Sequence, residues 1–127
     1  NQELGTSMAD RKLLTLVERL HRRTQERKVQ WGETPKDGVF QAEFGGIIVT
    51  LQLRPDPQYP EEPDYIVRIL NDEGRLVEQF TNNDLSSLAE NAERHPYRLM
   101  SELYDDARRL AMGVDRALDT LLNELND

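Results

Sequence analysis

The sequence predicts an α+β domain: a four-stranded antiparallel meander covered on one face by an N-terminal helix and a long C-terminal helix, in the order α-β4-α. Three observations carry this. An amphipathic basic segment opens the chain, and four short stretches of alternating polarity follow at hairpin spacing. A heptad run then occupies residues 97–125. Period 3.6 identifies helices and period 2 identifies half-buried strands.

Residues 1–7 read as a cloning or tag remnant, because Glu-Leu-Gly-Thr is what adjacent cloning sites often encode and Met8 follows directly. Residues 8–127 then form one α+β domain. A chain of this size builds a core without disulfide or metal staples. Asp10 is positioned to cap the first helix, which runs to about Arg27 with Leu13, Leu16, Val17 and Leu20 on its apolar face. His21 lies at the edge of that face. Residues 29–38 are a connection containing Trp31, the only tryptophan, which reads as a plug for the core edge or as an anchor for a partner.

Period two begins at Val39. Phe40, Ala42 and Phe44 alternate with Gln41 and Glu43, and Gly45-Gly46 makes a tight hairpin. Ile47, Val49, Leu51 and Leu53 share one face of the second strand. The proline-rich loop 54–63 contains overlapping Pro-x-x-Pro spacings, read either as a stiff acidic connection or as a polyproline ligand. Tyr65, Val67 and Ile69 mark the third strand, Asn71-Asp72-Glu73-Gly74 the turn after it, and residues 75–80 the fourth. Short connections make antiparallel neighbours. Asp84 is placed to cap a short helix, and Pro96 suits the first turn of the last one.

In the final segment Tyr97, Met100, Tyr104, Ala107, Ala111, Val114, Leu118, Leu121 and Leu125 follow 3-4 spacing without a miss. Leu103 and Leu110 widen the stripe. The heptad phase passes through Gly113 unchanged, which predicts one continuous helix; the alternative is a break there, with Asp115 capping a second helix. A continuous helix would be roughly 43 Å long at ~1.5 Å per residue. A seven-residue strand reaches only about 23 Å. The overhang falls on Leu118, Leu121, Leu122 and Leu125. These residues, with Val114 and Trp31, are the interaction candidates, and either the N-terminal helix or a second copy in a homodimer seam can cover the leucines.

Net charge is −8, unevenly placed. Residues 11–28 carry seven basic side chains against two acidic ones, a local net of +5 that leaves −13 for the rest. The acidic body disfavours nucleic acid as a partner. Lys12, Arg19, Arg22, Arg23, Arg27 and Lys28 form a basic patch that keeps weak nucleic-acid binding as a third reading.

The chain has no cysteine, which removes thiolate catalysis and thiolate metal sites and suits a cytoplasmic location. No apolar run reaches the ~20 residues of a membrane span. The two histidines are not at metal-ligand spacing, and Asp105-Asp106 beside Arg108-Arg109 reads as a solvated ion-pair face. No nucleotide-binding, nucleophile-elbow or zincin motif occurs. The expectation is therefore a non-enzyme without catalytic residues, metal or cofactor.

The motifs Trp31-x-x-Thr34, Phe40-x-Ala42-x-Phe44, Asn71-x-x-Gly74 and Leu103-Tyr104-x-x-Ala107-Arg108-Arg109-x-Ala111-x-Gly113-Val114 resemble a group of small uncharacterised bacterial α/β proteins. That resemblance implies no activity. In size, acidity and layout the chain is also similar to secretion chaperones and toxin-immunity proteins, which implies a basic protein partner. The leading expectation is a non-catalytic, acidic protein-binding module that self-associates through its helices. The alternative is an accessory protein of bacterial conflict or secretion: an immunity protein, inhibitor or chaperone.

Overall fold

The computed structural model describes residues 8–126. The reading of residues 1–7 as a remnant lies outside them. The elements in chain order are α1 (Met8–Gln25), β1 (Gly32–Glu33), β2 (Val39–Phe44), β3 (Ile47–Arg54), β4 (Asp64–Leu70), β5 (Leu76–Thr81), a 3-10 helix (Asn83–Asn91), α2 (Pro96–Met112) and α3 (Val114–Glu124). The strands form one antiparallel sheet in the order β1-β2-β3-β4-β5. The fold is α+β, with five strands rather than four. The additional strand pairs Gly32 with Gln41 and Glu33 with Phe40. Two residues are too few to show an alternation, so this strand reads as a connection in the sequence.

Cross-strand partners share a face, and the register puts Ala42 beside Val49, Phe40 beside Leu51, Leu51 beside Val67 and Val67 beside Phe80. These are buried with Val17 and Leu20 of α1 and Leu99, Met100 and Leu103 of α2. The opposite face is not uniformly wet. Ile66 there is 1 % exposed, and Arg68 donates to both Gln52 and Gln79 across three strands.

α2 is fixed to the sheet by aromatic residues. Tyr104 packs on Phe40 and Tyr65 at ring-centroid distances of 5.5 and 5.7 Å, and its hydroxyl donates to the Gly38 carbonyl at 2.7 Å. Burial raises the Tyr104 phenol above its ordinary value, partly opposed by Arg108. His95 caps α2, its Nδ1 accepting from the Tyr97 amide at 3.1 Å, with Pro96 in the first turn.

Both predicted acidic caps shift. α1 starts at Met8, so Asp10 lies in its first turn. Asp84 accepts from the Thr81 amide at 2.8 Å, and Asn82 occupies the cap position of the 3-10 helix.

α1 ends on a residue that needed no glycine. Arg27 has φ +60°, while Lys28 N–H donates to Arg23 O and Arg27 N–H to Thr24 O. This is a Schellman cap with arginine at the left-handed position, where a side chain costs about 1–2 kcal/mol. The cap turns the chain so that Trp31 enters the core.

Trp31 is 5 % exposed, and its indole N–H donates to the buried Thr24 hydroxyl at 2.9 Å. Replacing Thr24 by Val keeps the shape and orphans that donor. The Thr24→Val variant should lose about 1–3 kcal/mol of stability, read as a lowered urea midpoint with an unchanged slope.

Candidate interaction surface

The long apolar stripe is divided at Gly113. That residue has φ +65° and ψ +39°, the left-handed conformation that ends a right-handed helix, and its amide bonds back to Arg109 and Leu110. The predicted continuous helix is therefore two helices. Heptad phase reports which face is apolar; it does not report the sign of one φ angle. Asp115 falls in the first turn of α3, but its side chain caps nothing. It accepts from Arg27 at 3.2 Å and from Arg109 at 3.0 Å instead. Both partners pull the Asp115 carboxyl below its ordinary value. Arg109 thus pairs across the break, and Asp105 keeps Arg108 alone, at 2.9 Å.

The break separates two kinds of surface. In α2 the stripe is buried at Leu99, Met100, Leu103 and Ala107, then half-buried at Leu110 and Ala111. In α3 no residue is buried. Leu118, Leu121, Leu122 and Leu125 are 46, 55, 67 and 76 % exposed, and Val114 at the joint is half-buried. α3 packs on α2 and on no other element to a comparable extent. The structure thus brings Val114, Leu118, Leu121 and Leu122 together on α3, with Leu125 at its C-cap, and removes the sixth candidate, Trp31, to the core.

A second apolar surface lies on the sheet side of α1. Phe44 and Ile47 have the inward parity of β2 and β3, yet they are 41 and 39 % exposed. Between them and α1 runs an open groove of about 550 Å³. Leu16, Leu20 and Val29 form one wall, and Phe44, Ile47 and Ile69 the other. Arg19, Arg23 and Lys28 stand along its edge.

The predicted basic patch divides accordingly. Lys12 and Arg22 are exposed on α1, Arg27 is engaged by Asp115, and Lys28 pairs with Glu26 at 3.6 Å. Arg19 and Arg23 pair with no carboxylate among the described residues.

The titratable cluster nearest the interior joins α1 to α2. His21 is buried, with Nε2 at 3.2 Å from Glu102 but off hydrogen-bond alignment, and Arg94 also pairs with Glu102. Burial raises the neighbouring Asp106 carboxyl, and His21 opposes that shift. These contacts tie α1 to α2. Among the described residues no group of three or more His, Asp or Glu side chains is arranged to hold a metal ion. No described helix is long and apolar enough to cross a membrane. No family model, curated protein or solved structure matches the chain.

The Gly113 joint yields two measurable consequences. A Cβ at Gly113 would meet no atom within 4 Å, so Gly113→Ala is opposed by conformation alone. About 1–2 kcal/mol against the left-handed state should shift the joint toward a straight helix. Spin labels on α1 and α3 would show this as a new distance, and the absence of native cysteine makes such labelling specific.

The Asp115 clamp should also respond to acid. Its folded value is lowered, so its contribution is present above the unfolded carboxylate value and lost as pH falls through the folded one. The same label distance should broaden at the acid end in the wild type and at every pH in Asp115→Asn.

Proposed function

We propose that this chain is a non-catalytic interaction module that self-associates through α3. The observation that carries the reading is the leucine face of an eleven-residue helix with no buried side chain. Full burial of a leucine contributes about 1.5–3 kcal/mol, so four of them supply a substantial drive toward a covered state. Isolated leucines on a surface are ordinary, but four on one stripe at i, i+3, i+4 and i+7 are the pattern of a helix that packs. The clamp at Asp115 supports the same reading, because it ties the start of α3 to Arg27 and Arg109 while the leucines beyond it stay exposed. The exposed part of the basic patch, Lys12, Arg19, Arg22 and Arg23, also suits phosphate contacts, but the −13 carried by the rest of the chain opposes an extended polyanion.

Light scattering across a dilution series tests the proposal. The expected result is a dimer at tens of micromolar that dissociates on dilution. Leu118→Asp with Leu121→Asp should give a folded monomer with an unchanged thermal midpoint at the dilute end. A wild type that stays monomeric throughout, or a double variant that stays dimeric, removes α3 as a self-association surface.

A further inference from the structure

We propose that the groove between α1 and the β2–β3 hairpin is the receptor for α3 of a second copy of this chain, and that two copies exchange α3 reciprocally. The proposal rests on the self-association put forward above and assigns the surface that receives the helix.

Three features on the two surfaces correspond. The first is apolar character: α3 offers Leu118, Leu121, Leu122 and Leu125, and the groove offers Leu16, Phe44 and Ile47, with the buried Leu20 behind them. Leu16, Phe44 and Ile47 are partly uncovered in the single chain, as the four leucines are.

The second is length. Leu118, Leu122 and Leu125 are spaced by four and three residues, and so are Leu16, Leu20 and Arg23 on the groove's helical wall. Each row spans two helical turns, about 10 Å at ~1.5 Å per residue.

The third is charge. At ~100° per residue, Asp119 borders the leucine stripe on one flank and Glu124 on the other, while Arg116 lies on the opposite face. Neither Asp119 nor Glu124 forms an ion pair among the described residues, and neither do Arg19 and Arg23 at the groove edge. Docking the stripe brings an unpaired carboxylate beside unpaired guanidinium groups, which favours correct encounter and rejects like-charged intruders.

The chain path favours exchange. Asp115 at the start of α3 is hydrogen-bonded to Arg27, and Lys28 and Val29, the next residues of the chain, line the groove. The donating helix and the receiving groove therefore begin at neighbouring points of the same copy. A two-fold axis beside that corner lets each α3 enter the other copy's groove and closes the assembly at two chains. Leucine faces zipped directly against each other would leave both grooves and both arginine pairs uncovered.

Complementation separates these arrangements. One variant, Leu118→Asp with Leu121→Asp, loses the donor helix and keeps the groove. The other, Arg23→Glu with Ile47→Asp, loses the groove and keeps the helix; both of its sites are exposed. Each variant alone should be a monomer, and an equimolar mixture should form a heterodimer through its one intact helix–groove pair. A groove variant that remains dimeric alone, with no heterodimer in the mixture, would mean that leucine faces pair with each other; exchange would be overturned and self-association kept. A monomeric wild type overturns both.

A charge-swap series guards against a misfolded groove variant. Arg19→Glu with Arg23→Glu should weaken association at least roughly tenfold, and adding Asp119→Arg should recover most of it. Failure of that rescue, with both proteins folded, also overturns the assignment.

Discussion

The left-handed turn at Gly113 is the constraint on which the rest of the arrangement depends. One backbone conformation converts a stripe that could have run as a single rod into a core helix and a free one. Before it, leucine, methionine and alanine are enclosed by the sheet and α1. After it, the same kind of side chain meets solvent. The sheet is too short to cover both halves, so a straight helix would overhang without direction. The turn supplies the direction, and Asp115 holds it from two sides through Arg27 and Arg109.

The two corners of the structure solve one problem differently. α2 ends on glycine, for which the left-handed state is nearly free, while α1 ends on Arg27, for which it is not. Arg27 accepts that conformation within a fully bonded cap, and its side chain is then the one that reaches α3. A glycine at position 27 would relax the backbone and cut the link between α1 and the joint. Backbone strain at one helix end and helix orientation at another are thereby coupled through a single carboxylate.

What the sequence discloses and withholds follows the range of each interaction. β2 appears with its exact bounds because the alternation of Phe40, Ala42 and Phe44 with Gln41 and Glu43 is ended by two glycines. α2 appears because its cap, its proline and its apolar spacing all lie within a few residues of one another. The additional strand, β1, was hidden because two residues have no period. The break at Gly113 was legible only as the alternative, because the heptad phase runs through that position unchanged. The bare leucines were legible as a row too long for its sheet; the row lies on α3 and its C-cap rather than on the end of one continuous helix. The groove was not legible: Phe44 and Ile47 carry the inward parity of core residues, and only the packing of the folded chain shows them uncovered. Trp31 shows the converse. A lone tryptophan in a connection reads as a core plug or as a partner anchor, and the indole bonded to Thr24 inside the core decides for the plug.

α3 also differs from the rest of the fold in how it opens. Eleven residues are short for a helix in water, and none of its side chains is buried. Segments with few buried contacts open locally at a lower free energy than central strands do. The amides of α3 therefore exchange with solvent sooner than those of β3 and β4, and any cover on its leucine face would slow them.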